Sequence, residues 1–263
     1  MLKPVTKESH KDIVDLWNIC LPDFKLSDRL LEQNTWQSPY VLDEGSAIKE
    51  LDGKIVGVVV AKVWHDTHGV SLNKEHGWIQ MLLVHPDYRQ QKIATELYQY
   101  AEKALLNNGI KKIQLGGDLG HLLCGVPLGE REGVAFAEKF GFKRVVESVD
   151  FTKTITEPLS LPEKNNVQFV LLVKEEQQQL IDFMTQSFPG RWTFEAHDYF
   201  AHGGTGRDYV VVKWEGKIVG FCRINDEHSA WKGPNYNWAE QFDRLGGIGP
   251  LGVNEDYRKY GLG

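Results

Sequence analysis

Apolar side chains follow a helical period in some segments of the chain and a strand pattern in the segments between them. Positions spaced by three or four residues are apolar in residues 11–20, in a stretch that starts at Ile93, in Glu132–Lys139 and around Leu180–Met184, which predicts amphipathic helices. Runs of β-branched residues predict strands at Ala47–Leu51, Ile55–Val63, Trp78–Val84, Ile110–Leu115, Val145–Phe151, Val167–Val173, Tyr209–Trp214 and Ile218–Ile224. Ser27 is a helix N-cap candidate, and Asp52-Gly53 and Glu215-Gly216 are typical of hairpin turns. The alternation of elements predicts a mixed α/β fold.

The order of these elements occurs twice. Gly53–Gly57, with the letters Gly-Lys-Ile-Val-Gly, recurs without change at Gly216–Gly220. Val84–Arg89 recurs in altered form at Val253–Arg258, and a Leu-Pro pair after the first helix is echoed by a Phe-Pro pair in the same setting. Repeats in the same order, at nearly the same separation along the chain, indicate a duplication.

The duplication predicts two domains. The first takes residues 1–155, a polar and proline-bearing linker takes 156–166, and the second domain takes 167–263. The first copy continues beyond the point that is equivalent to Gly263, through a further helix and closing strands. We therefore expect the second copy, as printed, to be incomplete.

Composition narrows the classes of function. The 263 residues carry a net charge of −6 and are 41% hydrophobic, which predicts a folded protein without the basic surface of a nucleic-acid binder. Neither a signal region nor an apolar run long enough to span a membrane is visible. Three cysteines lie far apart, as expected for reduced thiols in a cytoplasmic protein, and no ligand spacing predicts a metal site.

Candidate chemistry lies where a strand meets a helix through a short loop. In the first copy the strand ends at Val84, the loop is Pro86–Lys92 and the helix begins near Ile93. Such a junction directs free backbone N–H groups and the positive end of a helix dipole to one point, where a diphosphate can bind. In the second copy Gly261 and Gly263 would allow a phosphate to approach the backbone closely.

These junctions resemble a known family. Arg258-x-x-Gly261-x-Gly263 after Leu-Gly-Val matches the acyl-CoA pyrophosphate motif of the GNAT (Gcn5-related) N-acetyltransferases, and Arg89-x-x-Lys92-x-Ala94 is a variant of it. Phe136–Phe142 resembles the F-Y-x-x-x-G-F segment of the family. The complete order is similar to bacterial two-domain members of the mycothiol-synthase-like type. The resemblance implies an α/β fold with a mixed sheet, made of two tandem GNAT acyl-CoA N-acyltransferase domains.

The resemblance also implies an activity, namely transfer of an acetyl group from acetyl-CoA to a primary amine of a small molecule without a metal. In the family the pantetheine arm lies where two strands splay, and a tyrosine commonly protonates the departing thiolate. The residues that the resemblance assigns to acetyl-CoA are Leu83, Val84, Arg89, Gln90, Gln91, Lys92, Ile93 and Ala94 in the first copy, and Leu251, Gly252, Val253, Arg258, Lys259, Tyr260, Gly261, Leu262 and Gly263 in the second.

The first copy departs from the family pattern twice. Lys92 stands where the family has glycine, and we expect the backbone to tolerate it because a helix-start residue needs no positive φ. Ala137 stands at the tyrosine position and cannot donate a proton. Both departures favour a degenerate first copy and a catalytic second copy. The alternative is a non-catalytic acyl-CoA-binding or protein-interaction module built from degenerate GNAT domains.

Acceptor and base candidates lie on the remaining segments. Asp226, Glu227 and His228 end the second hairpin and are candidate general bases. Trp192, Trp231, Tyr236 and Trp238 are expected on loops that surround the acceptor. With His121 in the first copy, they are candidates for a wall around it, with core packing as the alternative. His121 with Cys124 also allows a nucleophile pair, although a packed or rim position is the simpler interpretation. The acceptor is open, and so is the oligomeric state, with a homodimer as one candidate.

Overall fold

The computed structural model describes residues 1–66, 68–157 and 164–263, and this part of the chain forms two compact units. The first unit takes its described residues from 1–67, 71–143 and 232–245. The second unit takes them from 68–70, 144–231 and 246–263. Each unit has its own sheet and its own core.

The first unit is a five-stranded sheet with helices on both faces. Its strands are ordered β1-β2-β3-β4-β5, and every neighbouring pair is antiparallel except β4 and β5, which are parallel. The elements are β1 (Leu2–Pro4), α1 (His10–Cys20), α2 (Asp28–Leu31), β2 (Ala47–Leu51), β3 (Lys54–Val63), β4 (His76–Val84), α3 (Ile93–Asn107), β5 (Lys112–Leu115) and α4 (Arg131–Lys139). This is the mixed α/β architecture that the sequence predicts.

Alternation along β3 divides the first core between the two faces of the sheet. Val58 and Val60 pack with α1 on one face, and Val59 and Ala61 pack with α3 on the other. Residues that alternate along a strand point to opposite faces, so a strand buried on both sides is apolar at nearly every position. Lys62 is the exception, because it is fully buried although it is charged.

Local signals in the sequence explain where several elements begin and turn. The Ser27 side chain accepts a hydrogen bond from the N–H of Leu30 at 3.3 Å, which confirms it as the N-cap of α2. Asp52 and Gly53 both have positive φ values, +50° and +77°, and join β2 to β3 in the predicted hairpin. Two consecutive left-handed residues match the right-handed twist of the strands that they connect.

The second unit is a four-stranded antiparallel sheet with two helices. Its strands are ordered β6-β7-β8-β9, so that β9 is at the edge of the sheet. The elements are β6 (Val167–Leu171), α5 (Gln177–Ser187), α6 (Arg191–Ala201), β7 (Tyr209–Trp214), β8 (Lys217–Asn225) and β9 (Gly247–Val253). The order of strands and helices repeats that of the first unit as far as the loop after β9, as the duplication predicts.

The strand predicted at Val145–Phe151 is wrong. These residues form no strand, and their apolar side chains are exposed, with Val145 83% and Phe151 93% accessible. β-branched residues favour an extended backbone, but a strand also needs a neighbour for its hydrogen bonds, and no described strand pairs with this segment. Part of the predicted linker, residues 158–163, lies outside the described residues.

Candidate functional site

A cavity of about 500 Å³ lies in the first unit between β4 and β5. We call it the β4–β5 cavity. Its lining comes from α1, β4, the loop after β4, the start of α3, the end of β5, the loop after β5, and α4. The lining residues used below are Cys20, Gln80, Leu83, Val84, Tyr88, Arg89, Gln90, Lys92, Ile93, Ala94, Gly116, Leu123, Gly125, Glu132, Phe136 and Lys139.

The cavity exists because β4 and β5 pair over only part of their length. β5 pairs with His76–Ile79 in the first half of β4, and the Gly116 N–H adds a last bond to the Ile79 carbonyl at 2.9 Å. From Gln80 onwards β4 remains paired with β3 while its other edge faces the cavity. Open backbone groups along such an edge can hydrogen-bond an extended ligand as a neighbouring strand would.

A bulge starts the divergence at the same point. Val60 of β3 pairs with Met81 and Ala61 pairs with Ile79, so that Gln80 is an extra residue in β4. A bulge bends its strand and re-aims the side chains that follow. The direction of β4 therefore changes where the cavity begins.

The loop after β4 is tied back to the end of the strand. The His85 ring accepts the N–H of Asp87 at 3.3 Å, and the Arg89 Nε donates to the Val84 carbonyl at 3.3 Å. Arg89 Nη1 also lies 3.0 Å from a Glu132 carboxylate oxygen on α4. The side chain of Arg89 thus joins the strand end to the opposite wall of the cavity.

The prediction that Lys92 needs no positive φ is wrong. Lys92 precedes the first helical residue of α3 and has φ +63° and ψ +10°, in the left-handed region, and Gln90 has φ +61°. Such a conformation costs a residue with a Cβ about 1–2 kcal/mol. The chain has to reverse between loop and helix within a few residues, and this reversal sets the backbone angle whichever side chain is present.

The second copy repeats this loop in detail. Asn254 accepts the N–H of Asp256 at 3.0 Å, and Arg258 Nε donates to the Val253 carbonyl at 3.0 Å. Gly261, at the position of Lys92, also has left-handed angles, φ +60° and ψ +51°. Here a glycine occupies the position, so no Cβ is strained.

The second loop is held by contacts within its own unit. The Lys164 ammonium donates to the Tyr260 carbonyl and, at 2.8 Å, to the Gly261 carbonyl. The Leu262 side chain is buried beside Val212 and Val219. The two predicted acyl-CoA loops therefore share a backbone design, while the β4–β5 cavity belongs to the first.

Most of the predicted first-copy residues line the cavity. Leu83, Val84, Arg89, Gln90, Lys92, Ile93 and Ala94 do so, whereas Gln91 is exposed and is not part of the lining. The start of α3 contributes the N–H groups of its first turn. Lys92 and Arg89 supply cationic groups on the side of the loop, and Lys139 of α4 supplies one on the opposite wall.

Ala137 is buried in α4 beside aromatic side chains. Its neighbour Phe136 packs against Tyr98, with ring centroids 6.1 Å apart. The Tyr98 hydroxyl donates to Glu102 at 2.6 Å, and burial raises the pKa of this tyrosine above its usual value. Tyr98 therefore stays protonated and engaged, and it does not substitute for a hydroxyl at position 137.

A buried polar network lies behind the cavity wall. The Lys62 ammonium is 2.7 Å from an Asp118 carboxylate oxygen and also donates to the carbonyls of Asn34, at 2.6 Å, and Leu119, at 3.1 Å. Gln80 reaches the same carboxylate at 3.3 Å. Lys62 and Asp118 are both 0% exposed, so each charge depends on the other for compensation.

The candidate bases of the second copy differ in their surroundings. Asp226 forms a two-point ion pair with Arg207, at 2.9 and 2.7 Å, and this hydrogen bonding lowers the pKa of Asp226 well below its usual range. A carboxylate with a lowered pKa is a weaker base. Glu227 and His228 are exposed and lie 3.7 Å apart.

The four candidate aromatic residues pack within their own units. Trp192 is not on a loop but in the first turn of α6, where it packs against Phe188 and Phe221. Trp231 stacks on His202 with ring centroids 3.7 Å apart. These contacts support core packing for both Trp192 and Trp231.

Tyr236 and Trp238 belong to the first unit. The Lys232 ammonium lies 4.6 Å from the centroid of the Tyr236 ring, and the Trp238 ring meets Phe24 edge-on at 4.8 Å. Asn237, between them, donates to the His121 carbonyl at 2.9 Å. This segment therefore contacts the loop after β5, which carries His121.

His121 and Cys124 lie in contact in that loop. The Cys124 Sγ is 3.4 Å from His121 Nε2, and His121 Nδ1 is 3.2 Å from the Asp118 carbonyl oxygen. His121 is half-buried and Cys124 is exposed. The residues on either side of Cys124, Leu123 and Gly125, line the β4–β5 cavity.

Sequence reasoning did not identify part of the site. Trp17 and Cys20 of α1 line the cavity although the helical period assigns them only to a core face. Glu132 and Lys139 of α4 also line it, and the resemblance of the segment from Phe136 was the available signal for this helix. The buried charge of Lys62 was visible as the one charged letter in an apolar strand.

Two classes of feature are absent from the part of the chain that the structure describes. No group of three or more His, Cys, Asp or Glu side chains there could hold a metal ion. Within residues 1–66, 68–157 and 164–263, no helix combines the length and the apolar character needed to cross a membrane.

Comparison with known proteins gives a family and a fold. The profile of the acetyltransferase (GNAT) family matches residues 10–142 and 177–263. No curated protein matches the chain in sequence. The GCN5-related glucosamine N-acetyltransferase region of a fungal multi-domain GH3 β-N-acetylglucosaminidase superposes with a TM-score of 0.82 at 19% identity, over 100% of this chain and 32% of that one.

A second solved structure covers both units as well. It is a GCN5-related N-acetyltransferase from Sphaerobacter thermophilus, with a TM-score of 0.68 at 14% identity, over 100% of this chain and 78% of its own. At such identities the similarity shows the fold. The chain spans about a third of the length of the fungal protein.

Proposed function

The chain belongs to the acetyltransferase (GNAT) family, and on that premise we propose that it transfers an acetyl group from acetyl-CoA to a primary amine of a small molecule. The observation that carries the proposal is the β4–β5 cavity, with the loop and the start of α3 at one end. We further propose that the first copy binds the acyl donor. The second copy, favoured by its complete motif, is the alternative that a binding experiment separates.

The shape of the cavity suits the acyl donor. An extended pantetheine chain would lie along the edge of β4 that faces the cavity from Gln80 to Val84, where no strand of the described residues pairs with β4. Its diphosphate would lie at the first turn of α3, where backbone N–H groups and the helix dipole favour an anion. Lys92 adds positive charge at the same place, and Arg89, which is paired with Glu132, also lines it. The residues therefore fit a ligand that has hydrogen-bonding groups along its middle and is anionic at one end.

The acyl donor would supply a thioester, whose carbonyl carbon is the electrophile. A neutral amine would attack this carbon, and the carbon–sulfur bond would break with coenzyme A leaving as a thiolate. The proton lost by the amine would pass to a base, and the thiolate would take up a proton from an acid or from solvent. Backbone N–H groups of β4 that face the cavity can hydrogen-bond the carbonyl oxygen as negative charge develops on it. The chain need only hold the donor and bring the amine to it. A net charge of −6 favours a cationic amine over an anionic acceptor.

Two observations favour the second candidate, an acyl-CoA-binding protein without transferase activity. Ala137 is buried at the position where the family has its proton donor. In the second copy, the Asp226 carboxylate is already ion-paired with Arg207. A protein that binds acetyl-CoA but lacks a proton donor and a base would transfer the acetyl group only slowly. Binding and transfer therefore need separate measurements.

Mass spectrometry of the acceptor distinguishes these functions. The protein is incubated with acetyl-CoA and a panel of small primary amines, with glucosamine included because the fungal structure is described as a glucosamine N-acetyltransferase region. We expect an acetylated amine whose formation depends on the protein. Donor binding with no product from any amine would support the binding protein, and absence of both would refute the proposal.

A further inference from the structure

The loop after β5 is held in one conformation beside the cavity. Gly116 and Gly117 both have φ +66°, and the Gly117 N–H donates to the Leu123 carbonyl at 2.8 Å. A Cβ at Gly116 would lie 2.6 Å from that carbonyl oxygen, so the close approach of the two loop segments requires glycine there. His121 lies within the segment that the Gly117–Leu123 hydrogen bond closes, and Cys124 directly follows Leu123. The positions of both residues are therefore well defined.

The contacts of His121 assign its two ring nitrogens. Nδ1 lies 3.2 Å from the Asp118 carbonyl oxygen, and a carbonyl oxygen can only accept, so Nδ1 carries the proton of the neutral ring. Nε2 then presents its lone pair to the Cys124 thiol at 3.4 Å. A thiol beside an imidazole that a third group orients is the arrangement that activates a nucleophilic cysteine.

The other two cysteines lack this combination. Cys20 is buried, donates to the Val84 carbonyl at 3.4 Å, and has a pKa raised by burial. Cys222 is half-buried, and burial raises its pKa as well. Cys124 is exposed and has an imidazole nitrogen as its neighbour. Of the three thiols, all within the described residues, it alone joins access to an adjacent base.

We propose that Cys124 and His121 form a reactive thiol site that undergoes exchange with low-molecular-weight disulfides and carries the resulting adduct at the rim of the β4–β5 cavity. His121 Nε2 takes the thiol proton, and the Cys124 thiolate attacks one sulfur of the disulfide. The disulfide bond breaks, and the departing thiolate takes the proton from the imidazolium. Cys124 is oxidised to a mixed disulfide while the reagent is reduced to one thiol.

The size of the effect follows from thiol chemistry. An ordinary thiol with a pKa near 8.5 is about 3% ionised at neutral pH, and a neighbouring base raises that fraction several-fold. The intrinsic nucleophilicity falls as the pKa falls, so the net gain in rate is about two- to fourfold. His121→Gln keeps a polar side chain of similar length but cannot take the proton.

The test is exchange with oxidised glutathione, followed by intact mass and peptide mapping. We expect one addition, at Cys124, reversed by a thiol reductant and absent from Cys124→Ser. His121→Gln should slow it about two- to fourfold, while His65→Gln, which changes an exposed histidine of the same unit outside the cavity lining, should leave the rate unchanged. A rate for His121→Gln within about 1.5-fold of the wild-type rate, in a variant with unchanged circular dichroism, would overturn the proposal.

A second measurement needs no variant. The wild-type protein is alkylated with iodoacetamide beside free glutathione at the same neutral pH, and the rate at each cysteine is read by mass spectrometry. Cys124 should react at least about twofold faster than the glutathione thiol. Cys20 and Cys222 in the same molecule should react more slowly than glutathione. Equal rates at Cys124 and Cys222 would also overturn the proposal, whether or not the chain transfers acetyl groups.

Discussion

The buried ion pair of Lys62 and Asp118 makes the first unit sensitive to one substitution. Lys62→Met removes a cation that donates to three oxygens, at 2.6, 2.7 and 3.1 Å, in a place with no solvent exposure. The Asp118 carboxylate keeps its contact with Gln80 but loses the charge that balances it. Removing one partner of a buried pair costs about 3–5 kcal/mol in the free energy of unfolding.

The assay must report on the first unit alone. Urea unfolding followed by hydrogen–deuterium exchange of the β3 and β4 peptides measures the free energy at which that sheet opens. Lys54→Met, at the exposed start of the same strand, is the matched control and should change the free energy by less than about 0.5 kcal/mol. A loss below about 1 kcal/mol for Lys62→Met would refute the argument that the two charges depend on each other.

A second substitution separates charge from packing. Asp118→Asn keeps the shape of the side chain and removes its charge, so the double variant with Lys62→Met has neither charge. We expect the double variant to be at least about 1.5 kcal/mol more stable than the sum of the two single losses predicts. Additive losses would mean that packing, and not the ion pair, accounts for the cost.

Three further predictions follow from single residues. Lys92→Gly should raise the free energy of unfolding, measured by urea unfolding, by up to about 1 kcal/mol, because glycine adopts left-handed backbone angles without the strain of a Cβ. Lys92→Val should lower it. Ser27→Ala should cost about 1 kcal/mol in the same assay, because the N–H of Leu30 loses its cap. Arg207 lowers the pKa of Asp226, so their pair stabilises the fold at pH values above the unfolded-state aspartate pKa of about 3.9. Arg207→Gln should therefore melt at a lower temperature than wild type at neutral pH, and this difference should shrink as the pH falls below about 4.

The sequence was sufficient where a feature depends on neighbouring residues. The Asp52-Gly53 turn and the Ser27 cap each involve contacts within a few positions, and both are as predicted. The family resemblance, based on the spacing from Arg258 to Gly263, agrees with the profile match over two segments of the chain. Short sequence patterns determine the local backbone geometry, because backbone propensity and local hydrogen bonding act over a few residues.

Features that depend on distant contacts were not accessible in the same way. The segment Val145–Phe151 has the composition of a strand, but pairing is a property of two segments and not of one. Trp192 lies just after a Pro-Gly pair that is typical of a loop, yet it is in the first turn of α6 and packs against Phe221 of β8. In both cases tertiary contacts decided the outcome.

The candidate site shows the same division. The loop that follows Val84 was found from its spacing, while Glu132 on the opposite wall precedes the family-like segment of α4 and no motif identified it. The partners Lys62 and Asp118 are 56 positions apart in sequence, and neither predicts the other. The angle of Lys92 is set by the reversal of the chain, so its side chain gave no sign of it.

Calorimetric titration with acetyl-CoA tests the central claim, donor binding in the first copy, most directly. Ala94→Glu and Gly263→Glu place the same charge at equivalent positions of the two loops. Ala94 is in the first turn of α3, where an acidic side chain stabilises a helix but repels a diphosphate. We predict one site in the wild-type protein, at least tenfold weakened by Ala94→Glu and unchanged by Gly263→Glu. A site that Gly263→Glu weakens and Ala94→Glu does not, or no heat of binding at all, would contradict the account.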